Sequence, residues 1–253
     1  MAYLDTLGLF LGSLFANTLA SLSGGGAGLL QFPLLIFLGL HFSVALATHK
    51  VASVALGVGA AIKHIRAGTL NWGLTVYVIA AGTLGVILGA NIILDVPETV
   101  AEKLLGAIIL GLGIYSRLKS ELGQVALPKH RDLTGKLLGC LGLATIGILN
   151  GSLTAGSGLF VTLYLIWWFG FDYKQAVALT LVSVGLFWNG IGAGALYVAG
   201  AEIYWPWIPV LLAGSALGGY AGAHFATVGS NKMIKIAFEI LTFVIGLKLL
   251  IGM

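Results

Sequence analysis

The amino-acid sequence predicts an all-α polytopic membrane protein made of two inverted-topology repeats, and three observations lead to this fold class. The first is composition: 58% of the 253 residues are apolar and 9% are charged, with a mean hydropathy of +1.03, so too little polar surface remains for a water-soluble chain. The second is that apolar segments such as 72–94 and 210–228 approach or exceed the ~20 residues that a helix needs to cross hydrocarbon. The third is an internal duplication of the whole chain.

The duplication is clearest at two glycine-rich stretches, Gly24-Gly25-Gly26-Ala27-Gly28 and Thr154-Ala155-Gly156-Ser157-Gly158. Each stretch interrupts apolar sequence near the start of one half of the chain. Duplicated apolar halves with Gly-interrupted segments are a common architecture of secondary transporters. At an offset of 130 to 133 residues the halves pair Gly28 with Gly158, Gly39 with Gly170, Thr48 with Thr180, Trp72 with Trp205, Gly82 with Gly214 and Lys103 with Lys235.

Each half is predicted to contain a Gly-broken pair of apolar segments, which either spans twice or forms a re-entrant hairpin, followed by three transmembrane helices. In the first repeat, residues 1–115, the pair covers 5–23 and 27–40, and the helices cover 43–64, 72–94 and 98–115. In the second repeat, residues 136–253, the pair covers 136–149 and 159–171, and the helices cover 173–199, 204–228 and 230–251. A basic linker, residues 116–135, joins the repeats and carries Arg117, Lys119, Lys129 and Arg131.

The distribution of charge indicates how the repeats are oriented. Because each broken pair returns the chain to the side where it began, each half crosses an odd number of times, which makes the repeats inverted. The basic turn at 63–66 has a counterpart at 199–202 without basic residues, whereas the acidic turn at 95–98 has a basic counterpart at 232–235. Basic segments face the cytoplasm. We therefore expect a cytoplasmic linker, both termini outside, and a multi-pass protein of the cytoplasmic (inner) membrane.

The two breaks are the first candidate for a binding site. A helix that starts inside the protein presents unpaired backbone N–H groups with partial positive charge, which attract anions. The alternative is that the glycines merely allow tight turns or close helix crossings, but polar side chains cluster at both breaks. The substrate-binding candidates here are Gly24, Gly25, Gly26, Ala27, Gly28 and Gln31 in the first half, and Asn150, Ser152, Thr154, Gly156, Ser157 and Gly158 in the second.

The second candidate is the pair His49 and Lys50, which lies inside the apolar segment 43–64. A lysine costs ~2.5–3.5 kcal/mol at the centre of an inserted helix, and such residues are usually functional. Lys50 is therefore a substrate-binding candidate, unless it snorkels to the interface or pairs with a carboxylate. His49 either relays a proton or donates one hydrogen bond. Asn189, inside a late apolar segment, is a further substrate-binding candidate, although Asn also joins transmembrane helices.

Other residue types give no sign of an enzyme, a metal site or a cofactor. Cys140 is the single cysteine, and HExxH, GxSxG and carboxylate clusters are absent from the sequence. The net charge of +4 is concentrated in turns and the linker, so it indicates topology rather than nucleic-acid binding. The expected partners are a small anionic substrate and the lipid bilayer. The Gly-rich faces fit internal packing or a homodimer interface.

Three stretches resemble the sulfite exporter TauE/SafE family, also called the toluene sulfonate uptake permease family. They are the break at Gly24–Gly28 with Pro33 after it, Ala47-Thr48-His49-Lys50-Val51, and residues 62–68. The similarity extends over the whole chain through the duplication. It implies secondary transport of small sulfur-containing anions such as sulfite, sulfonates, sulfoacetate or thiosulfate.

The resemblance also bears on single residues. Many family members have Asn in place of His49, and the family often repeats a lysine where this chain has Val182, whereas Asn189 matches an Asn of the second motif. A site with one intramembrane lysine neutralises less negative charge, which favours a monoanion or proton cotransport.

The sequence thus predicts a secondary transporter of small sulfur-containing anions that works by alternating access. Two helix N-termini and Lys50 would bind the anion, and His49 is the proton-coupling candidate. The alternative is a passive channel for a small anion or a neutral solute, which would use the same Gly breaks.

Overall fold

The computed structural model describes residues 3–25, 27–92, 98–153 and 156–251, and the regular structure in these ranges is helical. In the first half the helices are α1 (Tyr3–Ser23), α2 (Ala27–Phe37), α3 (Phe42–Arg66), α4 (Trp72–Ile92) and α5 (Glu98–Leu118). In the second half they are α6 (Leu133–Leu153), α7 (Ser157–Phe169), α8 (Tyr173–Val198), α9 (Ile208–Val228) and α10 (Asn231–Ile251). A 3₁₀ turn, Trp205–Trp207, leads into α9, and Leu181–Trp188 within α8 is a π-helix.

Six helices in the described ranges are long and apolar enough to cross a membrane. They are Thr6–Ser23, Phe42–Arg66, Trp72–Ile92, Leu133–Leu153, Tyr173–Val198 and Trp205–Val228. By contrast, α2 has 11 residues and α7 has 13. At ~1.5 Å per residue these two helices are about 17 and 20 Å long, which is shorter than the ~30 Å hydrocarbon core. The second arm of each Gly-broken pair is therefore too short to span the bilayer by itself.

The same helix contacts occur twice, with the halves exchanged. Helix α1 packs against α9 of the second half, and α6 packs against α4 of the first. Glycines let the backbones touch: Gly218 lies against the Leu14 carbonyl and the Thr18 nitrogen, and Gly85 lies against the corresponding groups of Ala144 and Ile148. In both pairs the contacts advance in the same direction along the two helices, so each pair runs parallel.

Residues 119–132 lie at one end of the bundle, which we call the linker end. The Tyr77 hydroxyl donates to the Lys136 carbonyl at 2.6 Å, which places the start of α4 beside the start of α6. The Lys174 ammonium donates to the Thr227 carbonyl at 3.2 Å, which places the end of α9 beside the start of α8. The basic turn that precedes α4 therefore lies at the same end as the linker.

The expected segments agree with the helices to within a few residues at each end, but two features differ. Helix α8 contains a π-helix, whereas the sequence pattern predicts a regular α-helix over the whole segment. The linker is shorter than expected, because α5 continues to Leu118 and α6 already begins at Leu133. Asp95, part of the acidic turn on which the topology argument draws, lies outside the described residues.

We expect Gly85→Ala to destabilise the protein, because a Cβ at this position would overlap the Ala144 carbonyl oxygen. The expected loss is about 1–3 kcal/mol, the usual cost of overpacking. Gly194→Ala, in α8, is the matched control, because a Cβ there would have no atom within 4 Å and both substitutions gain the same helix propensity. Thermal unfolding in detergent measures both. Equal melting temperatures for the two variants would contradict the close packing of α4 on α6.

Candidate functional site

The two glycine-rich breaks touch each other in the interior of the bundle. Gly24 and Gly25 have φ values of 88° and 116°, and Gly156 has a φ of 76°, so all three adopt a backbone conformation that L side chains rarely enter. A Cβ at Gly25 would lie 2.5 Å from the Gly158 Cα atom. The approach of the two breaks therefore requires glycine on both sides.

A small cavity adjoins this contact. Its volume is about 30 Å³, which leaves room for a few water molecules at most. Both breaks, α3 and α8 contribute to its wall. The residues that line it are Gly25, Ala27, Gly28, His49, Ser53, Leu56, Ser157, Gly158, Thr180, Leu181, Val184, Gly185 and Asn189.

Two helix N-termini face this cavity. Helix α2 begins at Ala27 and α7 begins at Ser157, and the first two residues of each helix line the wall. The residue that precedes α7 is Gly156, which provides no side-chain cap. The first backbone N–H groups of a helix lack intrahelical acceptors and carry partial positive charge. The cavity wall is consequently favourable for negative charge, although no Lys or Arg is among the described residues that line it.

Lys50 is completely buried but does not belong to the described residues that line the cavity. Its ammonium donates to the backbone carbonyl of Asn150 at 2.7 Å and lies 3.4 Å from Asn150 Oδ1. Asn150 belongs to the last turn of α6, where carbonyl groups have no intrahelical donor. Lys50 thus caps α6. Among the described residues no carboxylate lies within ion-pair distance of it, and it does not snorkel.

Asn150 connects Lys50 to the cavity. Its side-chain Nδ2 donates to Ser157 Oγ at 2.8 Å and to Asn189 Oδ1 at 3.2 Å. Ser157 and Asn189 both line the cavity. The positive charge of Lys50 is therefore one hydrogen-bonded residue away from the cavity wall. Gly192 leaves space for the lysine, because a Cβ at Gly192 would lie 3.1 Å from Nζ.

His49 lines the cavity and is held from two sides. Its Nδ1 lies 2.9 Å from Gln31 Oε1, and its Nε2 lies 3.0 Å from Ser53 Oγ. Gln31 in turn donates from Nε2 to Ser13 Oγ at 2.7 Å and to Ser215 Oγ at 3.1 Å. An amide oxygen accepts but does not donate, so Nδ1 carries the hydrogen and Nε2 accepts from Ser53. The imidazole acceptor is therefore bonded to Ser53, which also lines the cavity.

The first break accepts a hydrogen bond from the second half. The Thr162 hydroxyl of α7 donates to the Gly24 carbonyl at 2.7 Å and lies 3.0 Å from Thr180 Oγ1. Thr162 is completely buried. A buried carbonyl without a donor is costly, so this hydroxyl stabilises the turn that starts α2.

The π-helix of α8 forms part of the cavity wall. Leu181, Val184 and Gly185 of this segment line the cavity. Trp188, at its end, donates from Nε1 to the Ile79 carbonyl at 3.1 Å and packs on Gly82 of α4. Single π turns are frequent at functional sites, and this one places the side chains of Leu181 and Val184 and the backbone of Gly185 in the cavity wall.

The structure brings together part of the predicted site. Of the candidates, Gly25, Ala27, Gly28, His49, Ser157, Gly158 and Asn189 line the cavity, whereas Gly24, Gln31, Lys50, Asn150 and Gly156 lie directly behind it. Ser152 donates to the Ile148 carbonyl of its own helix at 2.9 Å. Gly26 and Thr154 lie outside the described residues.

Sequence reasoning missed several wall residues, chiefly Ser53, Leu56, Thr180, Leu181, Val184 and Gly185. Ser53 could have been found, because it follows His49 by four residues and so shares its helix face. Thr180 could have been found, because the duplication pairs it with Thr48, the residue that precedes His49. Within the described ranges, no group of three or more His, Cys, Asp or Glu side chains comes together as a metal site would require.

Comparison with known proteins finds similarity to membrane transporters over nearly the full length of the chain. A family model described as sulfite exporter TauE/SafE matches residues 9–249. A "Probable membrane transporter protein" of Haemophilus influenzae is 26% identical over 245 residues, which cover 95% of this chain and 92% of the relative. "Probable membrane transporter protein YfcA" of Escherichia coli K12 is 26% identical over 242 residues, with 96% and 88% covered. No solved structure matches.

We expect Thr162→Val to destabilise the protein, because the buried Gly24 carbonyl would lose its donor. The expected loss is about 1–3 kcal/mol, the cost of an unsatisfied buried polar group. Thr145→Val is the matched control, since the Thr145 hydroxyl is exposed and bonds to the Leu141 carbonyl of its own helix. Thermal unfolding in detergent compares the two variants. A Thr162→Val variant as stable as the control would show that the break does not depend on α7.

Proposed function

Since this chain belongs to the sulfite exporter TauE/SafE family of membrane transporters, we propose that it carries small sulfur-containing anions across the cytoplasmic membrane by alternating access. Its substrates would be of the sulfite, sulfonate, sulfoacetate or thiosulfate class. One observation carries this proposal: two helix N-termini and the wall residues bonded to the Lys50 network converge on one buried cavity.

The cavity suits an oxyanion for electrostatic reasons. The N–H groups at the starts of α2 and α7 would donate to the oxygens of the anion. The Asn189 amide would add a neutral side-chain donor. The Lys50 ammonium, which Asn150 separates from the cavity, would add positive potential without a direct ion pair. This arrangement attracts a singly charged anion and still allows its release, as transport requires.

The volume of the cavity bears on the transport cycle. About 30 Å³ is too small for a sulfur atom with three oxygens, so this conformation would be the closed, substrate-free one. Binding would then require the two breaks to move apart at the contact between Gly25 and Gly158. The two repeats would separate there on one side of the membrane at a time.

The exchanged packing of the halves supports an inverted repeat. Helix α1 runs parallel to α9, which ends at the linker end, whereas α6 runs parallel to α4, which begins there. Equivalent helices α1 and α6 would therefore cross the membrane in opposite directions. The basic turn before α4 lies at the linker end with the linker itself, which favours a cytoplasmic linker end and external chain termini.

His49 would couple proton movement to anion movement. Its Nε2 accepts from Ser53, which lines the cavity, while Nδ1 is held by Gln31. A proton would therefore reach the imidazole by the route that the anion uses. Lys50 on the same helix is the charged neighbour, and Val182 stands where the family often has a second lysine. A proton on His49 would supply the charge that the missing lysine does not.

Anion binding should depend on Lys50. We expect sulfite, thiosulfate or sulfoacetate to raise the melting temperature of the detergent-purified protein, and taurine, sulfate, acetate and chloride to raise it less. Lys50→Gln should weaken binding by about tenfold to a hundredfold, which corresponds to ~1.4–2.8 kcal/mol of electrostatic attraction acting across Asn150. Lys63→Gln removes the same charge from the end of the same helix and should bind as the parent does. Equal affinity in the folded Lys50→Gln variant would refute the electrostatic role, and no shift with any anion would refute the substrate class.

Proton coupling should depend on His49. In proteoliposomes that contain the parent protein, a proton gradient should accelerate anion movement several-fold in the direction in which protons flow down their gradient. His49→Asn should retain anion-dependent stabilisation but lose this acceleration, because the amide cannot take up the proton. Anion flux with and without a protonophore measures the effect. Flux through the parent protein that is indifferent to the gradient would exclude coupling through His49.

A further inference from the structure

The linker end exposes apolar side chains between basic ones. Leu118, Val125 and Leu127 are 77%, 68% and 63% exposed. Lys119 and Lys129 lie close to them in the chain and are exposed as well. Apolar side chains interleaved with lysine are typical of segments that lie in the headgroup region of a bilayer.

This segment is held in place by the ends of several helices. The Leu127 and Lys129 nitrogens donate to the carbonyls of Gly170 and Phe169 at 2.8 and 3.1 Å. The Asn231 side chain donates to the Gln124 carbonyl at 2.9 Å. The exposed side chains are therefore presented by a fixed backbone, as a binding surface requires.

Two adjoining cavities open at this surface. The first has a volume of about 440 Å³ and lies between the end of α5 and the start of α10, and we call it the polar cavity. The second has a volume of about 330 Å³ and lies between the linker and the end of α7, and we call it the apolar cavity. Ser120 and Glu121 line both. The apolar part of its wall is formed by Leu118, Leu122, Val125, Leu127, Ile166 and Phe171, and Lys119 and Lys129 also line it.

The polar cavity has an excess of positive charge. Glu239 in its wall lies 3.5 Å from Arg117 and 4.0 Å from Lys235, so its charge is shared between these two cations. With Lys232 and Glu121 added, the described lining carries three cations and two carboxylates, an excess of one positive charge. The Arg117 side chain is 74% exposed, so its guanidinium keeps donors for a further ligand beside the contact with Glu239.

The polar cavity also holds a donor without an acceptor. Gln124 lines the wall, and its Nε2 atom is buried with no hydrogen-bond partner among the described residues. Buried amide nitrogens are nearly always satisfied. A ligand oxygen in the polar cavity, after a small rotation of the amide, would satisfy it.

We propose that the linker end binds one anionic phospholipid. The phosphate lies in the polar cavity between Arg117 and Lys232, and one acyl chain lies along the apolar cavity and the exposed Leu127. A polar and an apolar cavity that share a wall fit an amphiphile, because a free phosphate would use the polar cavity alone. This inference concerns a different surface from the transport site and holds whether or not the proposed substrate is correct.

The test is native mass spectrometry of the purified full-length chain in detergent, titrated with dioctanoyl phosphatidylglycerol. We expect one bound lipid per chain, and a loss of affinity of about tenfold or more in the double variant Arg117→Gln/Lys232→Gln. The matched control is Lys63→Gln/Arg66→Gln, which removes two positive charges at the same end of the bundle but away from both cavities. Leu127→Gln tests the acyl-chain contact and should weaken binding less.

Each outcome bears on the proposal. Loss of affinity in the cavity variant and not in the control supports a specific headgroup site. An equal loss in both variants would reduce the binding to general charge attraction and overturn the proposal. Equal binding of dioctanoyl phosphatidylcholine would exclude selection for an anionic headgroup. Displacement of the lipid by millimolar inorganic phosphate would assign the polar cavity to a free anion instead.

Discussion

The structure depends on one constraint: backbone groups that lose their helical partners inside hydrocarbon must find partners in the protein. Two short helices, α2 and α7, start in the interior of the bundle, and each start creates such groups. The molecule meets the constraint by bringing the two starts together. Thr162 donates to the carbonyl of Gly24 across the interface between the halves, and Lys50 donates to the carbonyl of Asn150 at the end of α6. Carbonyl groups at both breaks are thus satisfied, while the first residues of α2 and α7 line the cavity.

The same arrangement accounts for the proposed binding of an anion. A cavity whose wall includes two helix starts has positive potential without a cation in direct contact, and Lys50 adds charge from behind Asn150. Anion binding would then compete with the contact between Gly25 and Gly158, since both need the same space. This competition would couple occupancy to movement of the two halves, because a ligand shifts a conformational equilibrium only through its different affinity for the two states.

Much of the fold could be predicted from the sequence, because hydrophobic segments that must cross ~30 Å leave little freedom in their length. The breaks could also be located, because three of their residues need a positive φ, which glycine adopts readily and other residues rarely do. The relation between Lys50 and the cavity could not be predicted: helical spacing places Lys50 next to His49, yet the two side chains point to different partners, Asn150 and Gln31. The π-helix could not be predicted either, because its residues are ordinary apolar residues in sequence; the segment packs against α3 and α4.

The central claim is that one alternately exposed site carries the anion, and substrate counterflow tests it most directly. Proteoliposomes loaded with unlabelled sulfite would be placed in a trace of labelled sulfite, with no net gradient of any other ion. The account predicts a transient accumulation of label above equilibrium that saturates with sulfite concentration, because a carrier exchanges one anion for another at the same site. Label that only equilibrates, without overshoot or saturation, would contradict the account and indicate a continuous pore.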